Sequence, residues 1–230
     1  MISEGFVANG AKVYISSRDA AACTKAASEL SALGPGTAVA LPADLQKLPD
    51  CQALAAELSK REPGGLHVLV NNSGASWGED MATYPDSAWT KLLTLNLHRV
   101  FTLTQLLLPL LEAAGTSADP ARVVNIGSID AIRVPVLSNF AYSASKAGLH
   151  HLSRHLAVEL GPRHVTSNTL ACGPFESKMM AATLREIRGE LEGAIPRGRI
   201  GEPGDVAGAC IFLASKAGYV VLDDLCPLGC

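Results

Sequence analysis

Short apolar runs rich in β-branched residues recur along this chain, each followed by a stretch of helical character, and that alternation leaves few folds open. Lys12–Ser16, Thr37–Leu41, His67–Val70, Arg122–Ile126 and Val165–Leu170 read as strands. Helices are expected over residues 1–9, from an Asp19 cap to Leu33, from Pro49 or Asp50 to Arg61, and from Asp86 onward with an interruption near Pro109. Three more are expected at Phe140–Leu160, Glu176–Leu191 and Asp205–Ala214. Near-continuous apolar strands alternating with helices imply a parallel sheet covered on both faces. Right-handed crossovers then make a doubly wound α/β sheet the economical solution. Residues 1–230 are expected to form a single domain.

Composition removes several function classes. Hydrophobic residues are 48% and charged residues 18% of the chain, which argues against disorder. The net charge is −3 with Lys and Arg spread along the sequence, so neither a nucleic-acid surface nor a polybasic membrane patch is expected. No apolar run reaches the ~18 residues of a membrane span, and the first residues, Met-Ile-Ser-Glu-Gly-Phe, carry no basic leader. A soluble cytoplasmic protein is the expectation. The six cysteines (Cys23, Cys51, Cys172, Cys210, Cys226, Cys230) form no Cys-x-x-Cys pair and read as reduced, mostly buried thiols, with no metal site. His151 and His155 stand four apart on one helix face, a spacing that could hold a metal.

Doubly wound sheets bind ligands beyond the carboxyl ends of their strands. Ser17-Arg18, Asp44, Asn71-Asn72, Ser128 and Gly173 all follow strands. Tyr142 and Lys146 stand one helical turn apart. A lysine ammonium beside a phenol favours the phenolate, so the Tyr142 pKa is expected below its usual value of about 10. Ser128 could either hydrogen-bond a substrate carbonyl together with Tyr142 or cap the turn after its strand, and Lys146 could hold ribose hydroxyls as well. Asn96, an amide within an apolar helix, must either serve the site or bond to backbone.

Asn71-Asn-Ser-Gly74, Asn96, Ser128 and Tyr142-x-x-x-Lys146, in this order and spacing, resemble the short-chain dehydrogenase/reductase family over residues 1–216. The resemblance implies a Rossmann-type sheet and a nicotinamide-dependent oxidoreductase. It assigns the acid/base to Tyr142, carbonyl orientation to Ser128, nicotinamide ribose to Lys146 and a proton-relay water to Asn96. Where NAD-binding members end the second family strand in an acid, this chain has Ser17-Arg18. A hydroxyl and a guanidinium suit a phosphate dianion, so NADP is the expected cofactor. Asp44-Leu45 matches the family's adenine-contacting pair, with Asn71, Ser73 and Gly74 on the adenosine side. In Ala171-Cys-Gly-Pro174 a cysteine stands where proline is usual, but Gly173 remains. The Phe175 backbone is expected at the carboxamide and Ser177 at the pyrophosphate. Residues 176–203 would form a substrate lid, in which Met179, Met180 and Leu184 suit an apolar substrate portion. The wording from Gly173 to Met179 looks like 3-oxoacyl reductase-type members. A small carbonyl or alcohol substrate is implied, with a homodimer or homotetramer formed through the helices carrying Asn96 and Tyr142, which gives His151 and His155 an interface role rather than a metal.

Two regions depart from the pattern. The family opens with a strand and a Thr-Gly-x-x-x-Gly-x-Gly turn whose amides meet the pyrophosphate at a helix N-terminus. This sequence starts within the helix after that turn, so the first strand is expected to be absent and the sheet to have two open edges. Gly218–Cys230 matches the family's closing strand only loosely. Two readings follow: an NADPH-dependent oxidoreductase using Tyr142 as acid/base, or a shortened, catalytically impaired member acting only through oligomerisation.

Overall fold

The computed structural model describes residues 1–218 and 225–228. From the N-terminus run α1 (Ile2–Ala8), β1 (Lys12–Ile15), α2 (Ala20–Leu33), β2 (Thr37–Ala40), α3 (Leu48–Arg61), β3 (Val68–Asn71) and α4 (Asp86–Leu93). They are followed by α5 (Arg99–Ala114), β4 (Ala121–Ile126), α6 (Phe140–Leu160), β5 (Val165–Cys172), α7 (Ala181–Ala194), α8 (Pro203–Ala214) and β6 (Leu225–Leu228). The fold is Rossmann-like, and every strand pairing is parallel. Among the described residues no helix is long and apolar enough to cross a membrane.

Alternation along β4 and β5 puts a core on each face of the sheet. Val123 and Val165 join Leu54, Leu107, Leu111 and Leu160, which come from α3, α5 and α6. Val124 and Leu170 face the other way, onto Val206, Cys210 and Leu213 of α8, with Ile2 and Phe6 of α1 packed against them. This is the two-sided burial that the apolar strands require.

The hydrogen-bonded strands do not form one sheet: β1 pairs with β2 alone, and β3-β4-β5-β6 make a second, four-stranded sheet. No described strand pairs with both Lys12–Ile15 and Val68–Asn71. Glu62, just past α3, ties β1 to the end of that helix, accepting from Lys12 Nζ at 2.5 Å and from the Tyr14 hydroxyl at 2.6 Å.

Several boundaries also move. Pro109 does not interrupt its helix: α5 runs through it, held by the burial of Leu107, Leu110 and Leu111 on either side. The irregularity lies earlier, where Thr94–His98 forms a π turn joining α4 to α5. The helix expected from Glu176 begins at Ala181 and is kinked at Ile187. The last helix starts two residues early, with Pro203 in its first turn and Glu202 and Asp205 in a reciprocal capping box. The weakly matched C-terminal stretch does supply β6, parallel to β5. Cys23, Cys51 and Cys210 are buried thiols and Cys172 is half-buried. Cys230 lies outside the described residues, as does the side chain of Cys226.

A buried polar network ties the four-stranded sheet to its helices. Asn71 Nδ2 donates to Asn125 Oδ1 at 2.9 Å and to Thr104 Oγ1 at 3.3 Å. Asn125 Nδ2 donates in turn to Ser153 Oγ (3.0 Å) and Ser167 Oγ (3.3 Å). Replacing Asn125 by Leu leaves three buried partners short of a bond and should destabilise the fold by about 2–4 kcal/mol in urea unfolding. An unchanged midpoint would mean the network is dispensable.

Candidate active site

The site grows from the contact between the end of β4 and the first turns of α6. Past Ile126 the chain turns through Gly127 to Ser128, which is extended and buried and caps a short 3₁₀ turn by accepting from the Asp130 N–H at 3.1 Å. Opposite it, α6 presents Tyr142 and Lys146 on one stripe. Lys146 is buried, and its Nζ donates to the Ile126 carbonyl at 2.6 Å while lying 5.9 Å from the centre of the Tyr142 ring. The Ser128 hydroxyl faces the Tyr142 phenol closely enough to lower its pKa. Ser128, Tyr142 and Lys146 therefore converge in one corner, as expected.

Their electrostatics differ from the expectation. The Tyr142 pKa is raised, not lowered: burial of the phenolate dominates, Ser128 partly offsets it, and the charges of Asp130 and Cys172 add to the rise. The Lys146 ammonium is directed at the Ile126 carbonyl rather than at the phenol. Burial pushes Lys146 itself from its ordinary 10.5 down to about 8.

Asn96 sits in the π turn and is fully buried. Its Oδ1 accepts from the Ala75 N–H at 2.9 Å, and its Nδ2 donates to the Ala75 carbonyl (2.9 Å) and to Ser145 Oγ (3.0 Å). All of the amide's hydrogen-bonding groups are thus engaged in fixing the loop after β3 to α6. That loop brings Gly74 to the site: a Cβ there would lie 3.3 Å from Asn96 Oδ1 and 3.6 Å from Lys146 Nζ.

The remaining residues flank this corner. Asn71 is buried, with its Nδ2 held by Asn125 and Thr104. It nevertheless lines, with Leu45, Ser73, Arg99 and others, a cavity of ≈ 30 Å³. Asp44 lies beside it but accepts from the Gln46 N–H and pairs with Lys47, which stiffens its own turn. Ser17 and Arg18 are exposed beyond β1, and the neighbouring Asp19 carboxylate caps α2 through the Ala22 N–H at 2.9 Å. Gly173 and Phe175 line a larger cavity of ≈ 160 Å³ with Ile195, Arg197, Arg199 and Asp205. Ser177 accepts from the Met180 N–H at 3.3 Å. Of the three apolar residues expected to face substrate, Leu184 packs on Ile195 and Ile200 with Met180 against them, and only Met179 is exposed. His151 and His155 are exposed.

Sequence reasoning missed Ser145, which bonds Asn96 and the Tyr142 carbonyl, and His150, which meets the Ser128 backbone. The spacing Tyr142, Lys146, His150 was the available signal for the second: three polar residues at i, i+4 and i+8 on one stripe.

The chain is similar to known proteins over nearly its whole length. A family profile described as enoyl-(acyl carrier protein) reductase matches residues 1–224. The chain is 42% identical over 233 residues to the rhamnolipids biosynthesis 3-oxoacyl-[acyl-carrier-protein] reductase of Pseudomonas aeruginosa, covering 99% of this chain and 89% of that protein. It is 34% identical over 225 residues to the galactitol 2-dehydrogenase (L-tagatose-forming) of Cereibacter sphaeroides, covering 96% and 84%. The solved Pseudomonas aeruginosa RhlG/NADP active-site complex superposes with a TM-score of 0.94 at 40% identity, over 99% of this chain and 89% of that one. The chain belongs to the short-chain dehydrogenase/reductase family of oxidoreductases.

The buried lysine carries a testable signature. Unfolded, Lys146 holds its proton up to 10.5; folded, it releases it near 8, so the group disfavours folding while charged and this penalty fades between pH 8 and 10.5. At 1.36 kcal/mol per tenfold change, the penalty at pH 7 is roughly 3 kcal/mol. Lys146→Met should raise the urea midpoint at pH 7 and flatten the rise in stability between pH 8 and 10.5. A lower midpoint at pH 7 would contradict this.

Proposed function

We propose that the chain is an NADPH-dependent carbonyl reductase, able to run in reverse as an alcohol dehydrogenase, with residues 1–230 acting as one dinucleotide-binding and catalytic domain. The observation that carries this reading is the convergence of Ser128, Tyr142 and Lys146 at one strand end. Similarity to the 3-oxoacyl-[acyl-carrier-protein] reductase of Pseudomonas aeruginosa favours a 3-oxoacyl chain as substrate.

The chain's own donors suit the cofactor. Ser17 and Arg18 offer a hydroxyl and a guanidinium for a 2′-phosphate, while the one carboxylate beside them is engaged in capping α2. Gly74 keeps the space beside Lys146 Nζ clear, where a ribose hydroxyl would be held. Leu45, Asn71 and Ser73, with Asp44 beside them, suit the adenosine end; Gly173, Phe175 and Ser177 suit the nicotinamide and pyrophosphate. When bound, the nicotinamide supplies the hydride. Ser128 orients the substrate carbonyl, and Tyr142 delivers its phenolic proton to the carbonyl oxygen. A raised Tyr142 pKa keeps that proton in place at neutral pH, which suits reduction. Lys146, charged at neutral pH, offers a cation next to the oxygen as charge develops. Asn96 holds the loop that frames the pocket, and the backbone near it is the expected seat of a relay water. Exposed Trp89, Leu93, Phe101 and Val158 on α4, α5 and α6 support a homo-oligomer through those helices.

The break between the two sheets favours a second reading, a catalytically impaired member acting only through oligomerisation. Calorimetric titration with NADPH separates them: binding tighter than about 1 mM supports the reductase, and no binding supports the impaired form. Given binding, Tyr142→Phe should lower kcat by roughly a thousandfold and leave NADPH affinity intact. Arg18→Asp should lower the preference for NADPH over NADH by about tenfold or more. An unchanged ratio would remove Arg18 from phosphate recognition.

A further inference from the structure

One buried polar side chain touches the candidate site without a role in the chemistry above. His150 follows Lys146 by one helical turn and is almost fully buried. Its Nε2 accepts a hydrogen bond from the Ser128 N–H at 3.2 Å. Because a main-chain N–H only donates, this nitrogen carries no proton, and in the neutral ring the proton sits on Nδ1. The space for the ring is built into the strand end. Any Cβ at position 127 would collide with His150 Nε2 and approach Thr169 Cγ2 to 2.6 Å, so Gly127 is what lets the imidazole reach the backbone.

We propose that His150 is a positioning residue: its bare Nε2 clamps the main chain of Ser128 and thereby fixes where the Ser128 hydroxyl meets the substrate carbonyl. Three anchors then hold the turn after β4. Lys146 Nζ grips the Ile126 carbonyl at 2.6 Å, His150 grips the Ser128 N–H, and the Asp130 N–H holds Ser128 Oγ from the far side at 3.1 Å. With its backbone nitrogen and its Oγ both held, Ser128 has little freedom to swing. Burial first, then the charges of Lys146 and Arg154, push the His150 pKa down to about 4, so the ring stays a neutral acceptor at neutral pH. Protonation would set an N–H against the Ser128 N–H and break the clamp.

The proposal rests on the reductase reading, and the test keeps the two apart. His150→Leu removes the acceptor, whereas His150→Gln places an amide oxygen near the position of Nε2. With NADPH and a 3-oxoacyl thioester, His150→Leu should lower kcat by roughly tenfold to a hundredfold, with the NADPH Kd changed by less than about twofold. His150→Gln should recover to within about threefold of the wild type. In a Ser128→Ala background, His150→Leu should cost less than about twofold, because the hydroxyl it positions is gone. Equal losses in Leu and Gln variants, or the full loss persisting without the Ser128 hydroxyl, would overturn the proposal. Independently of turnover, ¹⁵N NMR of histidine-labelled protein at neutral pH should show His150 Nε2 as the unprotonated nitrogen; a protonated Nε2 would overturn it as well. Absence of turnover in the wild type would count against the reductase reading and leave the NMR result to decide the contact.

Discussion

The grip of α6 on the end of β4 is the constraint on which the rest of this structure depends. Asn125 bonds Ser153, the Ile126 carbonyl accepts from Lys146, and the Ser128 N–H meets His150, so three turns of one helix hold the end of one strand and the turn after it. Each contact is buried, where an unpaired polar group is costly, so register between helix and strand is tightly specified. The same register that satisfies these groups puts Tyr142 opposite Ser128. Stability and site geometry are thus set by one set of bonds. Lys146 is the point of tension, a buried cation that weakens the fold while charged.

Much of this was legible in the sequence. The strands were visible as β-branched runs because sheet burial on both faces demands them, and Phe140–Leu160 was read to its observed ends. Ser128, Tyr142 and Lys146 were found because strand ends and helical spacing are both countable. What was not legible depends on three-dimensional neighbours. The direction of the Tyr142 pKa reversed because burial outweighs a lysine whose ammonium points at a carbonyl, and neither fact is written in the spacing. The π turn around Asn96 escaped because its apolar pattern reads as ordinary helix. Pro109 misled because local propensity was overruled by the packing of its neighbours. The apolar residues of the expected lid looked substrate-facing, yet Leu184 completes a small core with Ile195 and Ile200.

The two ends of the proposed cofactor site are built unequally. Around Lys146, Gly74 and Gly173 the four-stranded sheet supplies a well-anchored wall. Ser17 and Arg18 extend from the two-stranded sheet, which is joined to the larger one by packing rather than by strand pairing. Discrimination for a 2′-phosphate would therefore come from the less constrained part of the fold, and proton transfer from the more constrained part. Family membership is carried by the whole chain, but turnover requires both halves to hold their relative positions.

Isotope transfer tests the central claim most directly. Purified protein would be given a 3-oxoacyl thioester and NADPH deuterated at the hydride-bearing carbon of the nicotinamide, and the product read by mass spectrometry. We expect a 3-hydroxyacyl thioester carrying one deuterium on the former carbonyl carbon. Unreduced substrate, or a hydroxyl product without deuterium, would contradict a site in which Ser128, Tyr142 and Lys146 present a carbonyl to the nicotinamide.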